Sequence, residues 1–187
     1  MTTWLSSAAV VLAVLAALSL VIFTVLTGVP TLSSRRDEID EVIALLKRAN
    51  LPGRAVIVDL GSGWGALVVA LARAFPEASV EGIEISLLAH LISRLRTYGL
   101  PNVSLRWGNF YRCDFRRADA IVCYLITSVM PAVSDLLDRS LRPGAVVVSN
   151  TFLFRERAIA SLRRAGRRGV AALYVWPARH WVVDDEE

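Results

Sequence analysis

The chain has 187 residues, the length of a single compact domain, and its 55% apolar composition supplies ample material for a core. One domain is therefore expected, and not two full ones. The net charge of +4 is modest and does not indicate a nucleic-acid partner, and the two cysteines, Cys113 and Cys123, lack the spacing of a metal site.

An uncharged apolar segment runs from Ala8 to Val29 near the amino terminus. As a helix, these 22 residues would be roughly 33 Å long, against a bilayer hydrocarbon thickness of about 30 Å. The alternative is a cleaved signal peptide, but the segment exceeds the usual apolar core of about 7–15 residues, and no Lys or Arg precedes it. We therefore expect residues 1–30 to be a single-pass transmembrane anchor in contact with the lipid bilayer.

Basic residues on one side of this segment predict its orientation. Arg35, Arg36, Lys47 and Arg48 follow it within about twenty residues, whereas the amino-terminal side offers only the amino group. Because basic flanks stay in the cytoplasm, we expect the folded domain to face the cytoplasm, where cysteines remain reduced.

The rest of the chain alternates between strand and helix patterns. Residues 31–53 contain a polar connector and a leading amphipathic helix, and residues 54–187 form the main domain. Buried strands are predicted at Ala55–Leu60, Ser79–Ile85, Val103–Gly108, Ala120–Leu125 and Ala145–Phe152, with helices at Gly65–Phe75, Leu87–Tyr98 and near Val133–Ser140. This order is typical of an α/β protein with a Rossmann-like, doubly wound, mostly parallel sheet.

The segment after the fifth strand carries a concentration of positive charge. Arg155–Arg168 contains six arginines and one glutamate. It is predicted to form a basic helix, whose charge either faces solvent or contacts anionic headgroups. Ala171–Trp176 and His180–Val183 are predicted as closing antiparallel strands.

A glycine-rich loop lies where the first strand turns into a helix. It reads Asp59-Leu60-Gly61-Ser62-Gly63-Trp64-Gly65. Glycine allows a sharp turn and the close approach of a ligand, and the following helix presents free amides and the positive end of its dipole. Glu84 lies at the end of the second strand, where its carboxylate can accept both hydrogen bonds from a ribose diol. The loop and Glu84 together predict a site for a nucleotide-like ligand.

The spacing of the glycines separates two classes of cofactor. It is G-x-G-x-G, whereas the dinucleotide fingerprint G-x-G-x-x-G would place glycine at position 66, where Ala66 stands. We therefore favour a methyl donor over a dinucleotide.

Three motifs resemble those of class I methyltransferases, namely Asp59–Gly65, Gly82–Glu84 and Gly108–Phe110. The resemblance implies S-adenosylmethionine as the cofactor and no metal. It gives cofactor-binding roles to Asp59, Gly61, Ser62, Gly63, Gly65, Glu84, Ile85, Asn109 and Phe110. Asp59 would support the loop and the methionine end, Ile85 would pack on adenine, and Asn109 would accept a hydrogen bond from the adenine amino group.

A narrower resemblance rests on the layout of the chain. The apolar amino-terminal segment, Pro30-Thr31 and Thr151–Phe154 occur together with the loop. This layout is similar to that of the small membrane-associated lysine methyltransferases of the ATP synthase c-subunit and the adenine nucleotide translocase, and it implies a lysine of a membrane protein as substrate. Trp64 replaces the small acidic residue usual in that family, and Thr151–Phe154 lacks its prolines.

A lysine acceptor must be neutral before it attacks the methyl group. Its pKa of about 10.4 leaves a deficit of roughly 3.4 units at pH 7, or about 4.6 kcal/mol. Tyr124, at the end of the fourth strand, is the candidate for lining the acceptor site, and packing in the core is its alternative role. Tyr111 is a second candidate on the same edge, whereas His90 and His180 are expected to be packing and surface residues.

Three functions remain open at this point. The first is methylation of a protein lysine at a membrane. The second is methylation of a lipid, a quinone or another small hydrophobic molecule, for which the same anchor and cofactor would serve. The third, from a different class, is a non-catalytic module that binds the cofactor or a partner.

Overall fold

One mixed sheet forms the centre of the protein. The computed structural model describes residues 7, 9–11, 14, 36–155, 157–165 and 169–178. The strands in this part are β1 (Val56–Leu60), β2 (Ser79–Glu84), β3 (Val103–Trp107), β4 (Ala120–Cys123), β5 (Val146–Asn150), β6 (Ser161–Ala165) and β7 (Gly169–Val175). The α-helices that accompany the sheet are α1 (Arg36–Arg48), α2 (Ala66–Ala74), α3 (Leu87–Arg96) and α4 (Met130–Ser140). The predicted leading helix, the five central strands and the three helices between them are therefore confirmed, with bounds shifted by a few residues.

The order of the strands in the sheet is β3-β2-β1-β4-β5-β7-β6. β1 to β5 are parallel, whereas β7 runs antiparallel to β5 and to β6. The order reverses between β1 and β4, and doubly wound sheets open a ligand crevice at the carboxyl ends of the strands at such a switch point. Gly61 and Tyr124 follow these two strands directly. The predicted Rossmann-like, mostly parallel sheet is confirmed.

Apolar side chains cover both faces of the sheet, as parallel strands require. On one face, α1 and α2 pack on the strands through buried residues such as Leu45 and Leu71. On the other face, α4 packs through Leu137, and Phe154 and Trp176 complete the cluster. α1 begins with acidic and ends with basic residues, which complements its dipole. The two clusters hold the carboxyl ends of β1, β4 and β5 in fixed positions.

The prediction of a basic helix over Arg155–Arg168 is wrong. Ser161–Ala165 instead forms β6, the edge strand paired with β7. Two arginines of the predicted segment have separate partners. Arg157, which precedes β6, donates to Asp138 at 2.6 Å and lies over the Trp176 ring at 4.7 Å, whereas Arg163 of β6 pairs with Glu41 of α1. Pairing with β7 and these contacts outweigh helix formation, which Gly166 and Gly169 also disfavour.

The other predictions for the ends of the chain have different outcomes. The predicted strand Ala171–Trp176 is confirmed, because it falls on β7 and pairs antiparallel. His180–Val183 lies outside the described residues. Most of the predicted anchor, residues 1–30, also lies outside them, and the described positions 7, 9–11 and 14 are helical and exposed. No helix in the described part of the chain is long and apolar enough to cross a membrane.

Candidate active site

The glycine-rich loop turns the chain away from β1 at the switch point. Gly61 and Gly63 have φ angles of 73° and 51°, a left-handed conformation that glycine adopts without strain. A Cβ at position 61 would lie 3.2 Å from Cδ2 of Leu125, which follows β4. The loop therefore brings its bare backbone close to the end of β4, where a side chain would occupy the crevice.

Three consecutive backbone amides of the loop, those of residues 61 to 63, are bound to β2. The amides of Gly61 and Ser62 both donate to the Ile83 carbonyl, at 2.9 and 3.0 Å, and the amide of Gly63 donates to Glu84 Oε2 at 2.7 Å. A ligand at this loop would thus meet Cα surfaces at 61 and 63. The amides of residues 61 to 63 are already paired within the protein, so they are not available to a ligand.

Gly65 serves helix packing. It precedes α2 with a φ of 80°, and a Cβ there would lie 2.3 Å from Ser93 Oγ of α3. The predicted site residue Gly65 is therefore turned toward α3, and it lets α2 and α3 approach each other behind the loop.

Glu84 is buried at the carboxyl end of β2 and joins the loop to the next helix. Its Oε2 accepts from Gly63, and its Oε1 accepts from the amide of Ser86 at 2.7 Å. Burial raises the pKa of Glu84, and these backbone hydrogen bonds oppose that shift. Each carboxylate oxygen retains acceptor capacity for a ribose hydroxyl. The structure thus places Glu84 beside the loop, as the sequence predicts.

Asp59 is buried at the end of β1, directly before the loop. Desolvation, followed by repulsion from Glu84, raises the pKa of Asp59 from 3.8 to about 7. No hydrogen bond reaches its carboxylate from the residues that the structure describes. A cationic group would lower this pKa by stabilising the charged form. We call Asp59, the loop to Gly65, and Glu84 the cofactor edge.

Ile85, Asn109 and Phe110, predicted at the adenine end, follow β2 and β3. Ile85 is exposed, and the indole Nε1 of Trp107 donates to its carbonyl at 2.9 Å. Asn109 Oδ1 accepts from the Tyr111 amide at 2.9 Å and so caps the short 3-10 helix Phe110–Arg112. The predicted acceptor atom of Asn109 is thus partly used within the protein. The sequence interpretation missed Trp107, although an aromatic residue ending a strand beside this motif was a visible signal.

A second group of residues lies at the carboxyl ends of β4 and β5. The rings of Tyr124 and Phe152 stack, with centroids 6.1 Å apart and an interplanar angle of 26°. Cys123 pairs with Ser149 in the sheet register, so Tyr124 and Asn150 follow at the same level on neighbouring strands. Asn150 is buried, and its Nδ2 has no hydrogen-bond partner. We call Tyr124 and Asn150–Phe152 the acceptor edge.

The turn after β5 gives Phe152 its position. Thr151 has a φ of 68°, which is strained for a β-branched residue. Its amide donates to the Val170 carbonyl at 2.7 Å, the amide of Phe152 donates to the Asn150 carbonyl at 2.8 Å, and the Ser149 hydroxyl donates to the Phe152 carbonyl. The sequence interpretation missed Asn150, and it used Thr151 only as part of the Thr151–Phe154 resemblance, without a role in the site. The signal for both was a polar pair ending an apolar strand.

Two other candidates from the sequence, Tyr111 and His90, pack against neighbouring parts of the protein. Tyr111 packs on Phe110 with ring centroids 4.5 Å apart, and burial raises its pKa. His90 is buried on α3, where desolvation and Arg94 lower its pKa. This agrees with the packing role expected for His90, whereas His180 lies outside the described residues. No group of His, Cys, Asp and Glu in the described part of the chain could hold a metal ion.

The fold is shared with solved methyltransferases. An RNA methyltransferase from Salinibacter ruber, in complex with S-adenosyl-L-homocysteine, matches with a TM-score of 0.71 at 24% identity, over 83% of this chain and 99% of that one. A SAM-dependent methyltransferase from Geobacter sulfurreducens, with the same ligand, matches with a TM-score of 0.52 at 24% identity, over 68% of this chain and 51% of that one. At these identities the likeness shows the fold, which is that of a class I methyltransferase.

Sequence comparison defines the family. The model of the ANTKMT methyltransferase domain matches residues 59–160, which is more than half of the chain and includes both edges of the site. The chain therefore belongs to the ANTKMT methyltransferase domain family. It is also 27% identical over 114 residues to a protein-lysine N-methyltransferase from Saccharolobus islandicus (strain REY15A), covering 59% of this chain and 71% of that relative. The predicted class of enzyme, an S-adenosylmethionine-dependent methyltransferase, is confirmed.

The cofactor edge fits S-adenosylmethionine on its own geometry. Glu84 has acceptor capacity for the ribose. The Oγ of the predicted site residue Ser62 is buried without a hydrogen-bond partner among the described residues, but it lies over β2, 3.0 Å from where a Cβ at position 82 would stand. Asp59 would hold the cationic amino group of the methionine, which compensates its burial. When bound, the cofactor supplies an electrophilic methyl group, and the protein has to align an acceptor with it.

Proposed function

We propose that the protein methylates the side-chain amine of a lysine in a protein substrate, and that it does so at a membrane. The observation that carries the proposal is the acceptor edge, where Tyr124 and Phe152 form an aromatic wall beside the buried Asn150. The relative from Saccharolobus islandicus is a protein-lysine N-methyltransferase, which supports the same kind of acceptor here.

An aromatic wall suits the apolar part of a lysine side chain. The stem of lysine is a flexible apolar chain of four carbons, which packs on ring faces while its amine extends further. Tyr124 and Phe152 lie across the switch point from Gly61, so a stem held against them would direct the amine toward the cofactor edge. The acceptor edge therefore supplies alignment, the main contribution that methyl transfer requires of the protein.

Asn150 suits an amine that must be neutral. An amide oxygen can accept an N–H hydrogen bond without the negative charge that would favour the protonated amine. Asn150 Nδ2 has no partner, and Asn150 Oδ1 has a long contact of 3.4 Å with the Thr151 hydroxyl. Rotation of the amide would exchange its two ends. Asn150 is thus a polar group available to orient an acceptor without charging it.

The membrane part of the proposal rests on the sequence. The uncharged segment Ala8–Val29 has the length of a membrane span, and the basic residues after it favour a cytoplasmic domain. Tethering would keep the enzyme close to membrane proteins. Methylation of a lipid or quinone would use the same tether. The following experiment distinguishes this alternative from methylation of a protein.

The test uses the purified full chain and membranes from cells that lack it. Membranes are incubated with S-adenosylmethionine labelled on its methyl group, protein and lipid are separated, and the protein is hydrolysed for mass spectrometry. We expect label in methylated lysine. Label in the lipid fraction alone would favour the alternative substrate class, and label in neither fraction would count against activity on membranes.

A matched pair of variants tests the cofactor site in the same protein. Glu84→Ala removes two charge-assisted hydrogen bonds to the ribose, so we expect the calorimetric affinity for S-adenosylmethionine to fall at least about 100-fold. Glu81→Ala removes a half-buried carboxylate from the same strand and should leave the affinity unchanged. Circular dichroism of both variants checks that they fold. Tight binding of NAD with none of S-adenosylmethionine would overturn the cofactor assignment.

A further inference from the structure

The outer face of α3 exposes a row of large apolar side chains. Leu87, Leu91 and Leu95 are 47%, 47% and 79% exposed. Their four-residue spacing places them within about 80° of the helix circumference. Tyr98, just beyond the helix, is 92% exposed. We call these four residues the α3 outer face. Single exposed apolar residues are common on proteins, but a continuous row is typical of a contact surface.

Two more exposed apolar residues extend this surface toward the cofactor edge. Ile85 lies two positions before α3, and Trp107 ends the edge strand β3. Val103 and Leu105 of β3 pack in the cluster beneath α1 and α2, so by strand alternation Trp107 lies on the face of the sheet that carries α3. The indole Nε1 of Trp107 donates to the Ile85 carbonyl at 2.9 Å, which fixes the ring beside the start of α3.

The charge of this region has one sign. From Ile85 to Cys113 the chain contains no Asp or Glu, but it contains Arg94, Arg96, Arg106 and Arg112. Arg94 and Arg96 are exposed on either side of Leu95. An apolar row flanked by arginines, with Trp and Tyr at its ends, is the pattern of a helix that lies in a membrane interface.

We propose that the α3 outer face, with Trp107, lies on the headgroup region of an anionic lipid bilayer. The arginines would contact lipid phosphates, and the leucines would enter the boundary with the acyl chains. A second copy of this chain is a poorer partner, because two faces of the same positive charge would meet. RNA offers phosphates to the arginines, but it offers nothing to a row of leucines.

This contact would orient the active site at the membrane. Glu84 ends β2 and α3 begins three residues later, so the cofactor edge adjoins the docked face. A substrate amine close to the bilayer surface would then lie within reach of the site. The inference rests on the proposed action at a membrane, but it does not depend on which group is methylated.

The test measures the depth of two positions in reconstituted full-length protein. A spin label is attached at Leu95→Cys or, as the control, at Asp135→Cys, an exposed position on α4. Both variants carry Cys113→Ser, and Cys123 is buried, with burial raising its pKa to about 12, so it resists labelling. Vesicles contain phosphatidylcholine with about 30% phosphatidylglycerol, whose negative surface attracts arginines.

We expect the label at position 95 to be reached more easily by oxygen than by a water-soluble nickel chelate, and the label at 135 to show the reverse. Arg94→Gln combined with Arg96→Gln should weaken the contact by about fivefold per charge and return the label at 95 toward the values for water. A label at 95 that stays in water on anionic vesicles, or that is shielded by added RNA and not by lipid, would overturn the proposal. This readout requires no methyl transfer, so its failure is distinct from failure of the lysine test.

Discussion

The cofactor edge and the acceptor edge lie at neighbouring strand ends, but they differ in how far they are complete. At the cofactor edge, the amides of Gly61, Ser62 and Gly63 are all paired with β2. At the acceptor edge, the buried Nδ2 of Asn150 has no partner and Thr151 adopts a strained φ of 68°. Both edges therefore hold unpaired side-chain groups, since Ser62 Oγ and the Asp59 carboxylate also lack hydrogen bonds within the described part of the chain. The difference is in the backbone, which is unstrained and paired with β2 at the first edge and is held in a strained turn at the second.

This difference indicates how the two edges bind. A rigid receptor with spare carboxylate oxygens suits a ligand of constant shape, since no rearrangement opposes binding. A buried unpaired amide is costly unless a ligand completes it. We therefore expect changes at the cofactor edge to act on affinity and stability, and changes at the acceptor edge to act mainly on turnover.

The largest predicted effect concerns Asp59 of the cofactor edge, whose charged form is destabilised by burial. Because its pKa is raised from 3.8 to about 7 in the folded state, its protonated form stabilises the fold at acid pH. That stability is lost as the pH rises through 7. At about 1.4 kcal/mol per unit, the loss between pH 4 and 8 is up to about 4 kcal/mol. Asp59→Asn should remove this pH dependence in urea unfolding of the cofactor-free protein.

The comparison of the two unfolding curves against pH is its own control, because other groups titrate in both proteins. Parallel curves for the wild-type protein and Asp59→Asn would show that Asp59 has an ordinary pKa and would contradict the prediction. Addition of S-adenosylmethionine should restore stability at pH 8 in the wild-type protein more than in Asp59→Asn, since only the carboxylate pairs with the cationic amino group.

The cofactor edge could be predicted from the sequence because it is local. Its parts occupy one continuous stretch of the sequence, from Val56 to Glu84, which contains a strand, the glycine loop, a helix and the next strand with its final carboxylate. The ligand explains directly why glycines stand in the loop and a carboxylate at the strand end. The orientation of Gly65 toward Ser93 could not be foreseen, because it depends on how α2 packs against α3. The pattern predicted which residues meet, and packing decided which of them face the ligand.

The second predicted effect concerns the aromatic wall of the acceptor edge. Phe152→Ala removes the ring that stacks on Tyr124, an interaction of about 1 kcal/mol that also supports the substrate stem. We expect kcat/KM for a soluble lysine peptide to fall about tenfold, while the affinity for S-adenosylmethionine stays unchanged. Tyr98→Ala, which removes an exposed aromatic residue outside both edges, is the control and should retain full activity on the peptide.

Tyr124→Phe sharpens the same prediction. It keeps the stacked ring and removes only the hydroxyl, so its loss of activity should be smaller than that of Phe152→Ala. A larger loss would give the Tyr124 hydroxyl a direct catalytic role. An equal loss of cofactor affinity in Phe152→Ala would instead contradict the separation of the two edges.

The acceptor edge was harder to predict because its parts are far apart in the sequence. Tyr124 and Asn150 become neighbours only when β4 and β5 pair. The same reason explains the error at Arg155–Arg168: a run of arginines suits a helix by itself, but β7 offers a free edge and Glu41 and Asp138 offer partners. Long-range pairing decides such segments, and local patterns do not contain it.

The smallest predicted effect tests whether the acceptor edge stores strain. Thr151→Gly replaces a β-branched residue at a φ of 68° by the one residue that adopts this angle freely. We expect the free energy of unfolding to rise by about 1 kcal/mol, whereas Thr127→Gly, in the short 3-10 helix Thr127–Val129, should lower it or leave it unchanged. The amide of residue 151 still donates to Val170, so the turn itself should persist. Turnover should nevertheless fall in Thr151→Gly, because a more flexible turn would hold the Phe152 ring against Tyr124 for a smaller fraction of the time. A variant that is both less stable and fully active would show that Thr151 is not strained and that the turn does not position the wall.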